Sequence, residues 1–129
     1  MASIFSKIVS GEIPSHKIAE NEEFLAFLDV FPIAKGHTLV IPKREIDYIF
    51  DLDDDTYSRL FLFAKSLVPA LEKTVPCLRI GVSVIGLEVP HVHVHLIPLN
   101  SMSDADFSKK IKITQEELAD LSADIRQNM

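Results

Sequence analysis

Three of the chain's five histidines lie at alternate positions within five residues: His91, His93 and His95, in the stretch PHVHVHLIP. In a β-strand, alternate side chains share a face and lie about 6–7 Å apart. The stretch therefore predicts a strand with three imidazoles on one face and apolar side chains on the other. Near neutral pH, an imidazole can act as a nucleophile, an acid, a base or a metal ligand.

The spacing alone leaves three interpretations of these histidines open. An H-x-H pattern on a strand can bind zinc, with His37, Glu88 or an aspartate as a further ligand. A nucleophilic histidine fits the same spacing. A solvated polar face is the third interpretation, although unpaired imidazoles are poor residues for a strand surface.

Hydrophobic periodicity, turn residues and capping signals predict the elements that must position the histidines. A long helix should run from Leu52 to about Leu71, with Pro69 kinking or shortening its last turn. Thr114 and Glu117 form a capping box that begins a short C-terminal helix. The pattern is typical of an α+β domain with an antiparallel sheet of about five strands. A short N-terminal turn or helix and the five strands are expected at 4–9, 16–19, 24–29, 37–42, 79–84 and 91–99.

Length, charge and cysteine content limit the class of protein. A chain of 129 residues with 47 % hydrophobic residues predicts one domain with a packed core. The net charge of −6 argues against nucleic-acid binding, because phosphate backbones require a basic surface, but it leaves a single nucleotide possible. No apolar run has the length of a membrane span, and the first residues do not resemble a signal peptide. The single cysteine, Cys77, suggests a cytoplasmic protein.

The histidine stretch and its surroundings resemble the histidine triad (HIT) family of nucleotide hydrolases and transferases. HVHVHLI at 91–97 fits the triad, in which single hydrophobic residues separate three histidines. SIFSKIVSGEIP at 3–14 and AFLDVFPIAKGHTLVIPK at 26–43 match the order and spacing of the family. The resemblance extends from Ser3 to about Asn100 and favours the nucleoside phosphoramidase branch.

The resemblance implies an enzyme that hydrolyses a nucleoside monophosphate derivative at its α-phosphorus. The expected substrate is a purine nucleoside phosphoramidate, cleaved through a nucleotidyl-histidine intermediate without a cofactor. Alternatives are dinucleoside polyphosphate hydrolysis and a nucleotide-binding scaffold with little activity. The resemblance also implies a single HIT domain over 1–129, with its core at 3–100 and a C-terminal helical extension at 101–129.

The resemblance assigns an expected role to four histidines. His93, the middle histidine, should attack phosphorus, while a backbone carbonyl near His91 holds the proton on its other ring nitrogen. His91 and His95 should flank the phosphate as donors, and His37 should pack beside the triad. Imidazole is nucleophilic at neutral pH and is a good leaving group, so a covalent intermediate divides one difficult step into two easier ones.

The expected contacts to the nucleoside lie earlier in the chain. Asp29 matches the ribose-binding carboxylate of the family, although an aspartate that forms a turn at the strand end is an alternative. Three apolar residues match the base pocket or belong to the ordinary core: Ile4, Phe5 and Ile8.

The chain departs from the family pattern at two places. Some bacterial members bind a structural zinc ion through two cysteines, a histidine and the first triad histidine. Here Ser3, Ser6 and Glu45 occupy the first three positions, so no metal is expected. Before the triad, many members have a glycine-glutamine pair, whereas this chain has IGLEVP, with Gly86 at the glycine position. Glu88 would repel phosphate, act as an acid when protonated, or point outward.

The long helix predicts a second copy of the chain as a partner. Phe61 and Phe63 lie about 200° apart around a helix axis, so one should pack on the sheet while the other faces elsewhere. An exposed phenylalanine near Tyr48, Phe50 and Leu62 would form an apolar patch typical of an interface. Because family members pair through this helix, we expect a homodimer whose interface includes Phe63 or Leu62.

Overall fold

The computed structural model describes residues 2–129, which form five strands, three α-helices and two short 3-10 turns. None of these helices combines the length and the hydropathy that a membrane span requires. The strands are β1 (Lys17–Glu20), β2 (Phe24–Leu28), β3 (Thr38–Pro42), β4 (Arg79–Ser83) and β5 (Val94–Leu99), and the helices are α1 (Ile4–Ser10), α2 (Asp54–Thr74) and α3 (Gln115–Gln127).

The five strands form one antiparallel sheet in the order β1-β2-β3-β5-β4. The predicted α+β fold with a five-stranded antiparallel sheet is therefore confirmed. In the pairing of β3 with β5, Leu39 lies opposite His95 and Val40 lies opposite Val94. This register places the last histidine of the triad inside the sheet, on the same face as Leu39.

The sheet has one face covered by helices and one face that carries the histidines. Side chains alternate along β2 and β3, so Leu28 and Val40 point into the main core with α2 and α3. Phe27 and Leu39 point to the opposite face and join a smaller apolar cluster. That cluster contains Phe5, Leu25, Phe27, Leu39 and Ile41.

Capping residues fix both ends of helix α1. The Ser3 side chain accepts a hydrogen bond from the Ser6 N–H and caps the first turn. Gly11 ends the helix with a φ of 86°, a left-handed conformation that favours glycine. The helix thereby holds Phe5 in the smaller cluster beside the histidines.

The predicted strand through the triad is shorter in the structure, because β5 begins only at Val94. His91 and His93 precede the strand. The ladder to β3 stops because β3 ends at Pro42, which has no N–H to donate. The Pro42 carbonyl is also occupied, since it accepts a hydrogen bond from the His91 ring at 2.7 Å. The other predicted strands agree with the structure within one residue at each end.

Helix α2 begins slightly later and ends later than predicted. Asp53 caps it by accepting a hydrogen bond from the Thr56 N–H, and the helix continues to Thr74. Pro69 lies inside the helix and does not shorten it, so the expected early end was wrong. Pro69 has no N–H, so the Lys65 carbonyl lacks its helical donor, and both residues are exposed.

Both phenylalanines of α2 pack against the main core, whereas only one was expected to do so. Phe61 and Phe63 are half-buried, and the Phe63 ring lies 5.7 Å from that of Phe24. Because they lie about 200° apart around the axis, they reach the core from opposite flanks of the helix. Leu62, which lies between them, is 64 % exposed.

The C-terminal part of the chain is integrated into the fold. The capping box of Thr114 and Glu117 is present at the start of α3. Helix α3 packs against α2 and β1 and contributes three residues to the main core: Leu118, Leu121 and Ile125.

Candidate active site

Four histidines form a buried cluster on the face of the sheet opposite α2 and α3. The exposed fractions of His37, His91, His93 and His95 are 1 %, 0 %, 7 % and 7 %. No buried side-chain nitrogen or oxygen of residues 2–129 lacks a hydrogen-bond partner. The partners of the rings show which nitrogen of each ring carries the proton.

His93 carries its proton on Nδ1. This nitrogen lies 2.7 Å from the backbone carbonyl of His91, and a carbonyl can only accept. In the neutral ring, Nε2 is therefore unprotonated, and within the described chain no hydrogen bond reaches it. The Phe5 ring packs edge-on against the imidazole, with ring centroids 5.0 Å apart. His93 thus combines an available lone pair with a fixed ring.

His37 and His95 are hydrogen-bonded to each other. Unlike His93, each carries its proton on Nε2. The Ile33 N–H donates to Nδ1 of His37 at 3.2 Å, so the proton of His37 lies on Nε2. That Nε2–H donates to Nδ1 of His95 at 2.9 Å, which leaves Nε2 of His95 protonated and able to donate to a ligand. Burial lowers the pKa of His37 and that of His95 to about 3, with a smaller contribution from neighbouring positive charge, so both rings are neutral near pH 7.

His91 uses both ring nitrogens inside the protein. Its Nε2–H donates to the Pro42 carbonyl at 2.7 Å, and its Nδ1 accepts from the Ser3 hydroxyl at 2.8 Å. Burial lowers the pKa of His91, which favours this neutral form. His91 was expected to donate to phosphate; in this structure both of its ring nitrogens are hydrogen-bonded within the protein and the side chain is fully buried.

Asp29 lies at the end of β2 and has one oxygen engaged and one available. Its Oδ1 accepts from the Phe31 N–H at 2.8 Å, which is the turn bond of the alternative interpretation. Its Oδ2 lies 3.7 Å from Nε2 of His37. The side chain is partly exposed and lines the cavity beside the histidines, so the turn bond does not prevent contact with a ligand.

A mostly apolar cavity of about 510 Å³ opens beside the histidine cluster. This volume is typical of a small-molecule site. His91 and His37 support the site from behind rather than lining the cavity. Glu88 is exposed at the cavity, in the IGLEVP loop. The cavity brings together most of the residues expected from the sequence: Ile4, Phe5, Ile8, Asp29, Gly86, Glu88, His93 and His95.

Phe107 and Lys110 are among the cavity residues that were not predicted from the sequence. The Phe107 ring packs edge-on against His95, with centroids 4.8 Å apart. Lys110 lines the cavity and makes no ion pair within 4.0 Å to any residue of the described chain. The Ile111 N–H donates to the Pro32 carbonyl and holds this segment in place. The only signal was KKIK after an aromatic residue, a pattern equally typical of a solvated surface.

The zinc positions of the family come together here, but their chemistry does not fit the metal. The Ser3 N–H and the Ser6 hydroxyl both donate to the Glu45 carboxylate, and these bonds lower the pKa of Glu45 to about 2. Zinc prefers thiolate and imidazole ligands, whereas these positions offer two hydroxyls and a carboxylate. Nδ1 of His91 is already occupied by Ser3. A structural zinc ion therefore does not fit this residue set.

A second group of potential metal ligands lies at the cavity. One ligand atom each from Asp29, His37 and His95 falls within 4.8 Å of the others. The nitrogens of His37 and His95 are, however, hydrogen-bonded to each other. A cation at this position would have to break that bond.

The family model described as "HIT domain" matches residues 10–102. The chain belongs to the HIT family. An uncharacterized HIT-like protein of Borreliella burgdorferi is 33 % identical over 135 residues, covering 98 % of this chain and 97 % of that protein. The adenosine 5'-monophosphoramidase HNT1 of Saccharomyces cerevisiae is 37 % identical over 131 residues, covering 93 % of this chain and 83 % of the yeast protein.

Solved HIT structures have the same fold. A HIT-like protein from Bartonella henselae, described as involved in cell-cycle regulation, superimposes with a TM-score of 0.85 at 30 % identity. The match covers 98 % of this chain and 96 % of that protein. The resemblance recognised in the triad sequence is thus confirmed by the family match and by the fold.

Proposed function

We propose that this HIT protein hydrolyses a purine nucleoside 5'-phosphoramidate at the α-phosphorus, with His93 as the nucleophile. Of the four buried histidines, His93 alone has a ring lone pair with no partner in the described chain. This observation carries the proposal, because a nucleophile needs a free lone pair beside the substrate cavity. The yeast relative named adenosine 5'-monophosphoramidase supports the same class of substrate.

In the first step, Nε2 of His93 forms a bond to phosphorus while the phosphorus–nitrogen bond of the substrate breaks. The amine leaves with the bonding electron pair and takes up a proton from solvent. The His93 ring becomes positively charged, so its Nδ1–H bond to the His91 carbonyl strengthens as the transition state forms. The Nε2–H of His95 donates to a phosphate oxygen.

In the second step, water attacks phosphorus and the bond to Nε2 of His93 breaks. The nucleoside monophosphate leaves, the proton of the attacking water passes to solvent, and His93 regains its neutral form. The proton stays on Nδ1 of His93 throughout, hydrogen-bonded to the His91 carbonyl. The histidine therefore needs no tautomer change between the two steps.

The remaining cavity residues hold the nucleoside in this proposal. Asp29 accepts hydrogen bonds from the ribose hydroxyls through Oδ2, since the backbone of residues 2–129 bonds only to Oδ1. The base lies against apolar side chains of α1, with Ile4 and Ile8 on the cavity wall. The loop with Gly86 and Glu88 borders the cavity, and Glu88 is exposed there.

A second candidate reaction is the hydrolysis of a dinucleoside polyphosphate. Lys110 lines the cavity, and its positive charge contributes to the lowered pKa of His37 and of His95, so it lies near the phosphate end of the site. An ammonium group there suits a substrate with phosphates beyond the α-phosphate.

An assay with two substrate classes tests the proposal. The protein is incubated with adenosine phosphoramidate and with diadenosine polyphosphates, each with and without a chelator. We expect turnover of the phosphoramidate that the chelator leaves unchanged. Faster turnover of the polyphosphates would favour the second reaction. Nucleotide binding without any turnover would contradict both and would support a scaffold.

We also propose that the protein acts in the cytoplasm as a homodimer, with residues 1–129 as one unit. A groove between α2 and the edge strand β4 is lined by Leu62 and Val82, which are 64 % and 58 % exposed. An apolar groove beside a strand edge suits a self-complementary contact between two copies. Phe63 packs inward on Phe24, so Leu62 is the better candidate for the interface.

A further inference from the structure

A continuous set of hydrogen bonds links the start of α1 to the proposed nucleophile. The Ser3 hydroxyl lies 2.8 Å from Nδ1 of His91, whose Nε2–H donates to Pro42 at 2.7 Å. The backbone carbonyl of His91 accepts the Nδ1–H of His93 at 2.7 Å. The ring and the carbonyl of His91 belong to one residue, so whatever fixes the ring also restrains the carbonyl.

The direction of each hydrogen bond in this set follows from its partners. The Ser3 oxygen accepts from the Ser6 N–H at 3.0 Å, so its own hydrogen is available for the unprotonated Nδ1 of His91. The Ser6 hydroxyl lies 3.5 Å from the same nitrogen and would compete for it. The Glu45 carboxylate prevents this competition by accepting the Ser6 hydroxyl at 2.7 Å.

Glu45 also ties the chain before α1 to the segment after β3. It accepts from the Ser3 N–H in addition to the Ser6 hydroxyl, so both serines are held by one carboxylate oxygen. Each donor in the set therefore has one acceptor, and the arrangement has a single consistent proton assignment.

We propose that Ser3, with Ser6 and Glu45, is a positioning residue for His93: it holds the His91 ring so that the His91 carbonyl keeps the proton of His93 on Nδ1. The inference rests on the proposed role of His93. Without the Ser3 hydroxyl, Nδ1 of His91 loses its 2.8 Å donor while Glu45 holds the hydrogen of the Ser6 hydroxyl, and the ring can rotate or change tautomer. The carbonyl then shifts, and His93 populates the Nε2–H form, which cannot attack phosphorus.

The test combines ring-nitrogen NMR with steady-state kinetics on four variants. Ser3→Gly removes the hydroxyl but keeps most of the capping preference, since glycine is tolerated at that helix position. Ser3→Thr retains the hydroxyl and serves as the conservative rescue. Gly11→Ala is the matched control: it strains the other end of α1, where φ is 86°, without touching the hydrogen-bond set.

For Ser3→Gly we expect nitrogen-15 shifts of His93 that report a mixture of tautomers, and a kcat for adenosine phosphoramidate lowered about tenfold with little change in KM. Ser3→Thr should restore both quantities. Gly11→Ala should lower the melting temperature and leave both unchanged. Glu45 lies outside the cavity and α1, and Glu45→Ala should shift the tautomers of His93 in the same direction. This variant tests the inference even if Ser3→Gly does not fold.

Unchanged His93 tautomers in both Ser3→Gly and Glu45→Ala would overturn the inference. An equal loss of kcat in Gly11→Ala would also overturn it, because the effect would then be a general loosening of α1. The NMR measurement does not depend on turnover. If the wild type cleaves no phosphoramidate while the tautomers shift as expected, the positioning inference stands and the proposed substrate is wrong.

Discussion

At the scale of single residues, proton position distinguishes histidines that the sequence presents as equivalent. His37, His91 and His95 each carry their proton on Nε2 and have Nδ1 occupied by a donor. His93 has the reverse arrangement, with Nδ1 bound to a carbonyl and Nε2 without a hydrogen bond to any of residues 2–129. Spacing cannot reveal this difference, because it depends on partners that are 2 to 88 residues away in the chain.

Replacing His93 gives the most direct test of the proposed nucleophile. His93→Ala should abolish turnover and still bind nucleotide, since the proposed base and ribose contacts are to other cavity residues, on α1 and at Asp29. Rapid quenching of the wild type with phosphorus-labelled substrate should trap label on His93. His16→Ala is the matched control, because His16 is bonded to Gln115 away from the cavity. A His93→Ala enzyme with a near wild-type rate would exclude the mechanism.

Asp29 should determine the preference for ribose. Asp29→Ala should weaken binding of a ribonucleotide by about 1.5–3 kcal/mol, the range for hydrogen bonds to a charged group. A 2',3'-dideoxynucleotide should bind weakly to the wild type and lose little further affinity in the variant. The measurement is calorimetric titration of both ligands. Equal losses for the two would indicate that Asp29 only stabilises its turn with Phe31.

At the scale of elements, local sequence patterns predicted most helix and strand boundaries. They failed where a residue distant in the sequence determines the boundary or the position of a segment. The capping box of α3 and four strands were found from neighbouring residues. The start of β5 was missed because Pro42, on another strand, ends the ladder. The cavity position of Lys110 was missed because its segment has no hydrophobic period and is placed by the bond from Ile111 to Pro32.

The segment before α3 should influence the choice of substrate. Lys110→Ala should raise KM for a diadenosine polyphosphate about tenfold and change KM for adenosine phosphoramidate much less, because one ammonium–phosphate contact contributes on the order of 1–2 kcal/mol. Lys112→Ala is the matched control, since Lys112 does not line the cavity. The same change in KM for both substrates would show that Lys110 does not contact the additional phosphates.

At the scale of the whole molecule, buried histidines couple stability to pH. In the unfolded chain the pKa of histidine is about 6.5, whereas burial lowers that of His37 and His95 to about 3. Below pH 6.5 the unfolded state binds protons that the folded state does not, so the free energy of unfolding falls as pH decreases toward 3. Each ring should contribute a slope of up to about 1.4 kcal/mol per pH unit.

Chemical denaturation between pH 7 and pH 5 measures this slope while most carboxylates stay ionised. His37→Gln should reduce the slope of the unfolding free energy against pH by the contribution of one ring. Glutamine offers an acceptor and a donor but does not titrate. A free energy of unfolding that stays constant over this range would contradict the proposed neutral, buried state of the rings.

Assembly is tested at the groove between α2 and β4. Sedimentation of the wild type at micromolar concentration should give about twice the chain mass of 14.5 kDa. Leu62→Asp should yield monomers, because a buried charge opposes a self-complementary apolar contact. Met102→Asp is the control, since Met102 is 89 % exposed outside the groove. A monomeric wild type, or a dimer unaffected by Leu62→Asp, would refute this interface.

The hydroxyls of Ser3 and Ser6 affect how the protein responds to oxidation. Cysteine thiolates at these two positions would be readily oxidised by peroxide. Loss of the zinc ion that they bind would loosen the contact between α1 and the chain after β3. The bonds from Ser3 and Ser6 to Glu45 and His91 contain no group that peroxide attacks at comparable rates. The contact between α1 and the chain after β3, which supports the triad, therefore depends neither on metal supply nor on the redox state of its surroundings.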